Sequence, residues 1–396
     1  MFNTILGGFN QGLPWAVLAI GVFVSFRLLD FADLTCEGSF AWGGAVAAVL
    51  IQQYGWNGIP ACLIALIAGG VAGLITALLH TKLKIAPILS GIITLTAMYS
   101  ITLITMNNKA SIGLLNVPLF YSWIPGMKSI YAILIMGVII IAIIIAVVYW
   151  FFGTELGSAI RSTGVNERMS RAQGINTDNT KIIGLVISNA LIALSGALVA
   201  QEQGTASWTM GQGAIVAGLA SVIIGETIIP SNRNFALTLV GVTIGSIIYR
   251  IIYSLVYYFG LPTEYIKLST AVLVVIALCL PMIKTKCIAL AKKLDAKWRA
   301  KYPKYAAYAQ KRDDKKAQKA EKAKSALADK ITNLSTLIKS ESDVKKAKTL
   351  QRQISKAKEK FAEKYGSKEL EDVEEHTEAA SVAVIGGNDN VDVKNN

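Results

Sequence analysis

Long apolar runs in the first 283 residues constrain this chain more than any other feature. These residues carry only 12 of the 39 basic and 9 of the 26 acidic side chains in the 396-residue chain. Several runs exceed the roughly 18 apolar residues that mark a membrane-spanning helix. Charged residues make up 16% of the whole chain, against about 25% in a typical soluble domain. The sequence therefore excludes a soluble globular enzyme and predicts an all-α polytopic membrane protein with a charged tail.

The apolar pattern predicts about nine membrane segments, each helical because hydrocarbon offers the backbone no other hydrogen-bond partner. Two of them are short, interrupted by glycine and placed correspondingly in the two halves of the apolar region. Such pairs point to the substrate pathway in transporters built from internal repeats. The segments are predicted at 12–26, 36–53, 59–80, 86–106, 129–152, 181–201, 213–229, 235–259 and 267–283, with 36–53 and 213–229 as the short pair.

Basic residues in the short loops predict the orientation of the chain. With the tail placed in the cytoplasm, the inner loops hold eight Lys and Arg residues and the outer loops hold three. We therefore expect an N-terminus outside the cell and a C-terminus in the cytoplasm. The first 26 residues contain no Lys or Arg, so the basic start of a cleavable signal peptide is missing, and the first segment is expected to remain as a span.

The stretch RLLDFADLTCEGSF, after the first predicted span, is the first break in the apolar pattern. It places three carboxylates within eight residues, just before a Gly-rich segment. A helix that begins inside a protein-lined cavity could carry them, with Asp33, Thr35 or Ser39 as its cap. The alternative is an ordinary cytoplasmic loop in which Arg27 pairs with Asp30, because charges at membrane edges are usually solvated. The three carboxylates belong to Asp30, Asp33 and Glu37.

The long inner loop 153–181 is the second break. It is expected to form a short amphipathic element with basic residues on its polar faces. A soluble partner could bind such an element, and so could an anionic lipid surface, and the pattern leaves both open. The apolar side would comprise Ala159, Ile160, Met169 and Ala172, and the basic residues are Arg161, Arg168 and Arg171.

Polar residues inside the predicted spans form the third break. Asn189 and Ser195 lie in the sixth span among small residues that permit close helix approach. They are interpreted either as packing contacts or as part of a substrate pathway. Arg250, well inside the eighth predicted span, is expected to snorkel or pair rather than to bind substrate.

The charge pattern divides the rest of the chain into two parts. Residues 284–368 hold 26 basic and 9 acidic side chains, whereas 369–396 hold one basic and eight acidic. We expect residues 286–368 to form a basic cytoplasmic helical hairpin or coiled coil that binds anionic lipid, followed by a disordered acidic C-terminus at 369–396. Nucleic acid is the poorer explanation for a basic tail tethered to a membrane. Residues 1–285 then form the transmembrane domain.

Motifs for catalysis and for metal binding are missing from the sequence. It contains no Gly-Lys dipeptide, and hence no Walker-type nucleotide loop, and no HExxH or GxSxG motif. Its four cysteines and two histidines are not at metal-ligand spacing. We therefore expect no enzyme activity, no metal and no cofactor, so that any ATP hydrolysis would take place on a separate subunit.

The two polar stretches together resemble those of permeases of the branched-chain amino acid, ribose and related ABC importers. RLLDFADLTCEGSF with its following Gly-rich span is similar to one characteristic region of that family. The loop AIRSTGVNERMSRAQGINTDNTK, followed by ALSGALVAQEQG, is similar to the family's cytoplasmic coupling region and next span. The resemblance covers about residues 4–285, is strongest to the tryptophan/tyrosine-type subfamily, and does not extend to the tail.

The resemblance implies a permease that works by alternating access with a second copy of itself, two ATPase subunits and an extracytoplasmic substrate-binding protein. It also implies an amino acid as substrate, an aromatic one in the most similar subfamily. Asp30, Asp33, Thr35 and Glu37 would form a broken-helix entry beside the pathway. The residues that would dock into the ATPase are Arg161, Gly164, Asn166, Glu167, Ala172, Gly174 and Ile175.

Two other classes of function remain open from the sequence. An ion-coupled secondary transporter would need carboxylates deep in its spans, whereas Asp and Glu here cluster at span ends. A membrane scaffold organised by the tail would leave the loop 153–181 unexplained.

Overall fold

The computed structural model describes residues 2–258 apart from 116, 123–128 and 230–233, together with scattered positions between 268 and 361. The chain divides into two compact units, Met1–Lys286 and Cys287–Asn396. The described part of the first unit consists of helices and one two-stranded sheet. The helices are α1 (Phe2–Val22), α2 (Thr35–Tyr54), α3 (Gly58–Thr81), α4 (Pro87–Thr105), α5 (Ser129–Phe152), α6 (Glu155–Val165), α7 (Glu167–Ala172), α8 (Thr177–Gln203), α9 (Ala214–Ile228) and α10 (Phe235–Tyr258), and the strands are β1 (Ser111–Gly113) and β2 (Thr205–Ser207).

Short polar residues and glycines set several helix ends. The side chains of Thr154, Asn166 and Asn176 accept backbone N–H bonds at the starts of α6, α7 and α8, which satisfies donors that have no partner within the helix. Gly55 and Gly204 end α2 and α8 with φ values of 67° and 69°, a left-handed conformation that costs glycine little.

Helices α1 and α8 lie at the centre of the first unit. Their most apolar windows are 83% and 78% buried, against 22% for α5 and 28% for α4. Helix α8 packs against α1, α2 and α3, while α10 packs against α1 and α9. The apolar faces that α4 and α5 leave exposed suit hydrocarbon, because lipid is as apolar as their side chains.

The α2–α8 contact requires glycine on both helices. A Cβ atom at Gly43 would collide with the backbone of Ala193, and one at Gly196 would collide with the carbonyl oxygen of Phe40. Small residues at such crossings let two membrane helices approach until their backbones touch. The Gly-rich character of the segment 36–53 therefore serves close packing.

Six of the described helices are long and apolar enough to cross a membrane. This finding confirms a polytopic helical membrane protein. The short predicted segments 36–53 and 213–229 coincide with α2 and α9, which are not among the six, and α9 has only 15 residues. The segment 267–283 is described only at scattered positions, so the count of nine remains a prediction.

The loop 153–181 differs from the single amphipathic element that the sequence predicts. It contains two helices, α6 and α7, separated by the extended backbone of Asn166 (φ −157°). The two helices do not share the predicted apolar side: Ile160 is buried, whereas Met169 is 58% exposed and Ala172 is exposed.

The second unit is described at few positions. Residues 321–331 are helical, and Ile331 is buried against Phe361 together with Leu327 and Ala328. Most of the predicted hairpin, and all of the acidic end at 369–396, lie outside the described residues. The hairpin, the lipid contact and the disordered end remain predictions.

Candidate functional site

The chain between α1 and α2 does not run as one helix. A π-helical turn, Phe23–Leu28, follows α1, and residues 29–34 are not helical. The N–H of Leu29 donates to the carbonyl of Val24 (3.1 Å), and the N–H of Phe31 donates to that of Ser25 (2.9 Å). Asp30 is exposed and takes a left-handed backbone (φ 53°), which Asp tolerates better than most residues. The predicted break in the helix is present.

Asp33, at the end of this break, is completely buried. Its Oδ1 accepts the backbone N–H of Thr35 (2.9 Å), the first residue of α2. Its Oδ2 accepts the side-chain N–H of Asn189 (2.6 Å), in the middle of α8. Both carboxylate oxygens are therefore bonded, which a buried charge requires.

Further side chains extend this contact into what we call the buried polar cluster: Asp33, Thr35, Ser39, Thr76 and Asn189. Asn189 Oδ1 accepts the hydroxyl of Ser39 (2.7 Å). The hydroxyls of Thr35 and Thr76 are 2.7 Å apart, within hydrogen-bond distance. The cluster thus joins α2, α3 and α8 inside the bundle.

The other predicted pathway residues lie elsewhere. Asp30 is exposed and outside the cluster. Glu37 is half-buried and accepts the N–H of Gly213 (2.9 Å), at the start of α9. Ser195 donates to the carbonyl of Pro14 on α1 (2.7 Å). The structure therefore brings together Asp33, Thr35 and Asn189, and separates Asp30, Glu37 and Ser195 from them.

The ion pair in the predicted alternative for the first polar stretch is wrong. Among the described residues, Arg27 pairs not with Asp30 but with Glu226 at the end of α9, whose Oε1 lies 2.9 Å from the Arg27 Nε. The sequence reasoning also missed Thr76 as a cluster member. Hydroxyl residues in an apolar helix often bond back to their own helix, as Thr76 does to Ala72 (3.3 Å), so the residue type gave no signal.

A second polar group, the Glu167 cluster, joins α7 to the start of α8. Glu167 Oε1 lies 2.9 Å from both Arg171 Nη2 and Lys181 Nζ. The hydrogen bond from Lys181 holds the pKa of the Glu167 carboxyl below its ordinary value. The further members are Thr177, which donates to Glu167 (3.4 Å), and Asp178, which lies 3.4 Å from Arg171 and 3.5 Å from Lys84.

Helix α6 lies directly against the π-helical turn. A Cβ atom at Gly164 would collide with the carbonyl oxygen of Leu28. The hydroxyls of Thr163 and Thr180 are 2.9 Å apart, within hydrogen-bond distance, which ties α6 to α8. The guanidinium of Arg161 lies over the ring of Phe235, 5.5 Å from its centroid. A displacement of α6 would therefore also displace the break between α1 and α2.

The surface of α6 and α7 that faces away from the helix bundle is exposed. Val165 is 87% exposed and Met169 is 58% exposed. Gly174 (φ 83°) ends the element, and the N–H of Ile175 donates to Ser170 (3.0 Å). A groove with an empty volume of about 670 Å³ runs along this surface, lined by Ser158, Arg161, Ser162, Val165, Asn166, Met169, Ser170 and Gln173. The seven predicted docking residues all belong to this element or flank it.

Gln201 anchors the opposite end of α8. Its Oε1 accepts the N–H of Phe120 (2.8 Å), and its Nε2 donates to the carbonyl of Gly58 (3.2 Å) and lies 3.0 Å from the sulfur of Cys62.

Among the described residues, no group of three or more His, Cys, Asp or Glu side chains is placed to hold a metal ion.

Comparison with known proteins identifies the family of this chain. Residues 4–278 match the model of the branched-chain amino acid transport system permease component. The chain belongs to this family of ABC-type permeases. It is a multi-pass protein of the plasma membrane, and its named relatives are permeases rather than enzymes.

Three relatives illustrate the range of the family. The tyrosine transport system permease protein of Clostridioides difficile is 34% identical over 271 residues, which are 68% of this chain and 89% of the relative. An uncharacterized protein of Rickettsia prowazekii, RP368, is 29% identical over 70% of this chain and 97% of the relative. The ribose import permease protein RbsC of Escherichia coli K12 is 24% identical over 69% and 84%. No solved structure matches the chain.

Proposed function

We propose that this chain is the membrane-spanning subunit of an ABC importer for an amino acid. More specifically, we propose an aromatic amino acid as the substrate. ATP would be hydrolysed on a separate ATPase subunit. Two copies of the permease, two ATPase subunits and an extracytoplasmic substrate-binding protein would form the working assembly. The substrate class is supported by the name of the tyrosine permease relative, whereas ribose is the cargo named for a more distant one.

The exposed α6–α7 element carries the proposal. Its internal bonds, centred on Glu167, keep the element compact, and Gly164 seats it against the carbonyl of Leu28. A partner that moves α6 would therefore push directly on the break between α1 and α2. Such a contact could transmit closure of the ATPases to a bundle with two discrete arrangements, as alternating access requires.

Copurification and transport test this function together. The full-length chain, expressed with a candidate ATPase and binding protein from the same organism, should copurify with the ATPase. The reconstituted complex should take up amino acids only when ATP is supplied. Glu167→Lys should abolish both copurification and uptake while leaving membrane insertion intact. Uptake by the permease without any ATPase would contradict the proposal.

The orientation is proposed from the basic loop residues, with the N-terminus outside and the α6–α7 element in the cytoplasm. Single cysteines at positions 56 and 205, both exposed, should react with an impermeant thiol reagent added to intact cells. A cysteine at position 165, which is 87% exposed, should react only after the membrane is opened. Labelling of position 165 in intact cells would reverse the orientation.

One observation favours an ion-coupled secondary transporter as a second candidate. Asp33 is a completely buried carboxylate within a polar cluster, and buried acids in membrane helices often carry protons or ions. Uptake driven by an imposed proton or sodium gradient, without ATP and lost in Asp33→Asn, would support this candidate. Dependence on ATP alone would exclude it.

A further inference from the structure

A cavity between α1, α9 and α10 lies apart from both polar clusters. Its empty volume is about 1170 Å³, including space open to solvent. Three aromatic rings and one guanidinium dominate its described lining. The lining residues are Trp15, Gln203, Met210, Gln212, Gly213, Val216, Ala217, Tyr249, Arg250, Tyr253, Thr270 and Ala271. Ligand sites in proteins are concave, mostly apolar and carry a few placed polar groups, and this cavity has that composition.

Arg250 supplies the charge. Its side chain is only 7% exposed, and its guanidinium lies 3.4 Å from the ring centroid of Trp15 and 5.1 Å from that of Tyr253. Stacking uses the faces of a guanidinium and leaves its N–H groups, which point outward in the plane, available to an acceptor. The cavity thus places an aromatic wall beside an anion-binding edge.

Two hydrogen-bond donors beside this edge have no partner among the described residues. They are the buried Nε of Arg250 and the buried Nε1 of Trp15. Glu202 is close enough to act on the charge of Arg250, yet the two form no ion pair among the described residues. The buried Oε2 of Glu202 also lacks a hydrogen-bond partner among the described residues. A buried charge that no ion pair or hydrogen bond satisfies is costly, and inside a membrane protein it indicates a functional site.

We propose that this cavity binds the substrate itself, with the carboxylate of an aromatic amino acid on Arg250 and its ring against the lining formed by Val216, Ala217 and Tyr249. An anion would satisfy the free guanidinium N–H groups through paired hydrogen bonds. The apolar ring of the ligand would fill the space beside these side chains, which removes its surface from water. This inference rests on the proposed function, because it assigns the substrate class of that importer to particular residues.

The chain without its binding protein tests the site directly. Full-length permease in nanodiscs is incubated with tritiated L-tyrosine and challenged with 3-(4-hydroxyphenyl)propionate, which keeps the carboxylate, or tyramine, which lacks it. We expect saturable binding that the propionate displaces and tyramine does not. Arg250→Gln should weaken binding roughly 10- to 100-fold, the range for a lost hydrogen bond to a charged group, and Arg250→Lys should keep the preference for carboxylate.

Controls separate a binding role from a structural one. Lys109→Gln removes an exposed cation outside the lining and should bind tyrosine as the native chain does. Trp15→Phe should retain binding, whereas Trp15→Leu should lose it roughly 10-fold or more, because the Trp15 ring stacks on the Arg250 guanidinium and holds it in place. Each variant is compared only if it elutes as a single species with the native apparent Tm. If Arg250 variants do not fold, the Trp15 pair and the two competitors decide.

Three results would overturn the site: no saturable binding by the native chain, equal displacement by tyramine, or native affinity in Arg250→Gln and Trp15→Leu. ATP-driven uptake by the full complex separates this failure from that of the proposed function. If the native complex takes up no amino acid, the proposed function is wrong. If native and Arg250→Gln complexes take up L-tyrosine equally, only the site assignment is wrong.

Discussion

The buried polar cluster and the Glu167 cluster both bond a carboxylate to neighbouring side chains, one in the interior and the other at the surface. Each centres on one carboxylate that bonds to partners from other segments. Asp33 is completely buried, so water cannot replace a lost partner. The side chain of Glu167 is 37% exposed, so solvent and salt can. The comparison teaches that the interior contact fixes how α2 and α8 pack, whereas the surface contact can exchange its bonds with water and salt.

Loss of the Asn189 side chain should have the largest effect. Asn189→Ala leaves the buried Asp33 carboxylate without its 2.6 Å donor, and an unsatisfied buried charged group costs about 3 kcal/mol. The apparent Tm of the purified chain should fall by several degrees. Ser195→Ala is the matched control on the same helix, because it removes one neutral bond worth about 1 kcal/mol. An equal fall in apparent Tm in the two variants would show that the Asp33–Asn189 bond stabilises the chain no more than a neutral bond does.

Bulk at Gly164 should come next. Gly164→Leu must push α6 away from the carbonyl of Leu28, and overpacking of this kind costs about 1–3 kcal/mol. ATP-driven uptake should be lost while membrane insertion persists. Gly7→Leu on α1 is the control, since a Cβ atom at Gly7 would meet nothing within 4 Å. Native uptake by Gly164→Leu would remove α6 from the coupling path.

Neutralising the surface carboxylate should have a smaller and salt-dependent effect. Glu167→Gln weakens contacts to Arg171 and Lys181, and partly exposed ion pairs contribute less than about 1 kcal/mol. The difference in apparent Tm between this variant and the native chain should shrink between 0.05 and 0.5 M NaCl, because salt screens exposed charges. A difference that salt leaves unchanged would show that the pair behaves as if buried.

The pH dependence of that difference should be the smallest effect. The folded-state pKa of Glu167 is lowered from its ordinary value of 4.5, so its stabilising contribution is fully present above that value. The contribution is lost as the pH falls through the lowered folded-state pKa, where the carboxylate gains a proton. The native and Glu167→Gln chains should therefore converge in apparent Tm only on acidification below pH 4.5. Convergence near pH 7 would contradict the assignment.

Much of the architecture could be predicted from the sequence because long apolar runs have few alternatives in a membrane. The helix break before α2 was predictable too, since three carboxylates cannot lie in a continuous span. Which of the polar residues would be buried and which exposed was less predictable. Asp33, Asp30 and Glu37 look equivalent in the sequence, yet of the three only Asp33 is completely buried, because the position of α8 decides which of them lies against Asn189.

Arg250 shows the same limit more clearly. A lone arginine inside a span usually snorkels or pairs, and that was its expected role. Its lack of an ion pair among the described residues depends on where Trp15, 235 residues earlier in the chain, and the end of α8 come to lie. Such a relation between distant segments leaves no periodic trace in the sequence.

The small sheet formed by β1 and β2 limits how the bundle can move. Ile112 pairs with Ala206 in antiparallel register, and the N–H of Leu114 donates to the carbonyl of Gly204 (2.8 Å). These bonds act as a clasp between the segment that follows α4 and the segment that follows α8. If these bonds stay intact during transport, the segments after α4 and after α8 move together as one rigid body. Any hinge must then lie outside these two segments.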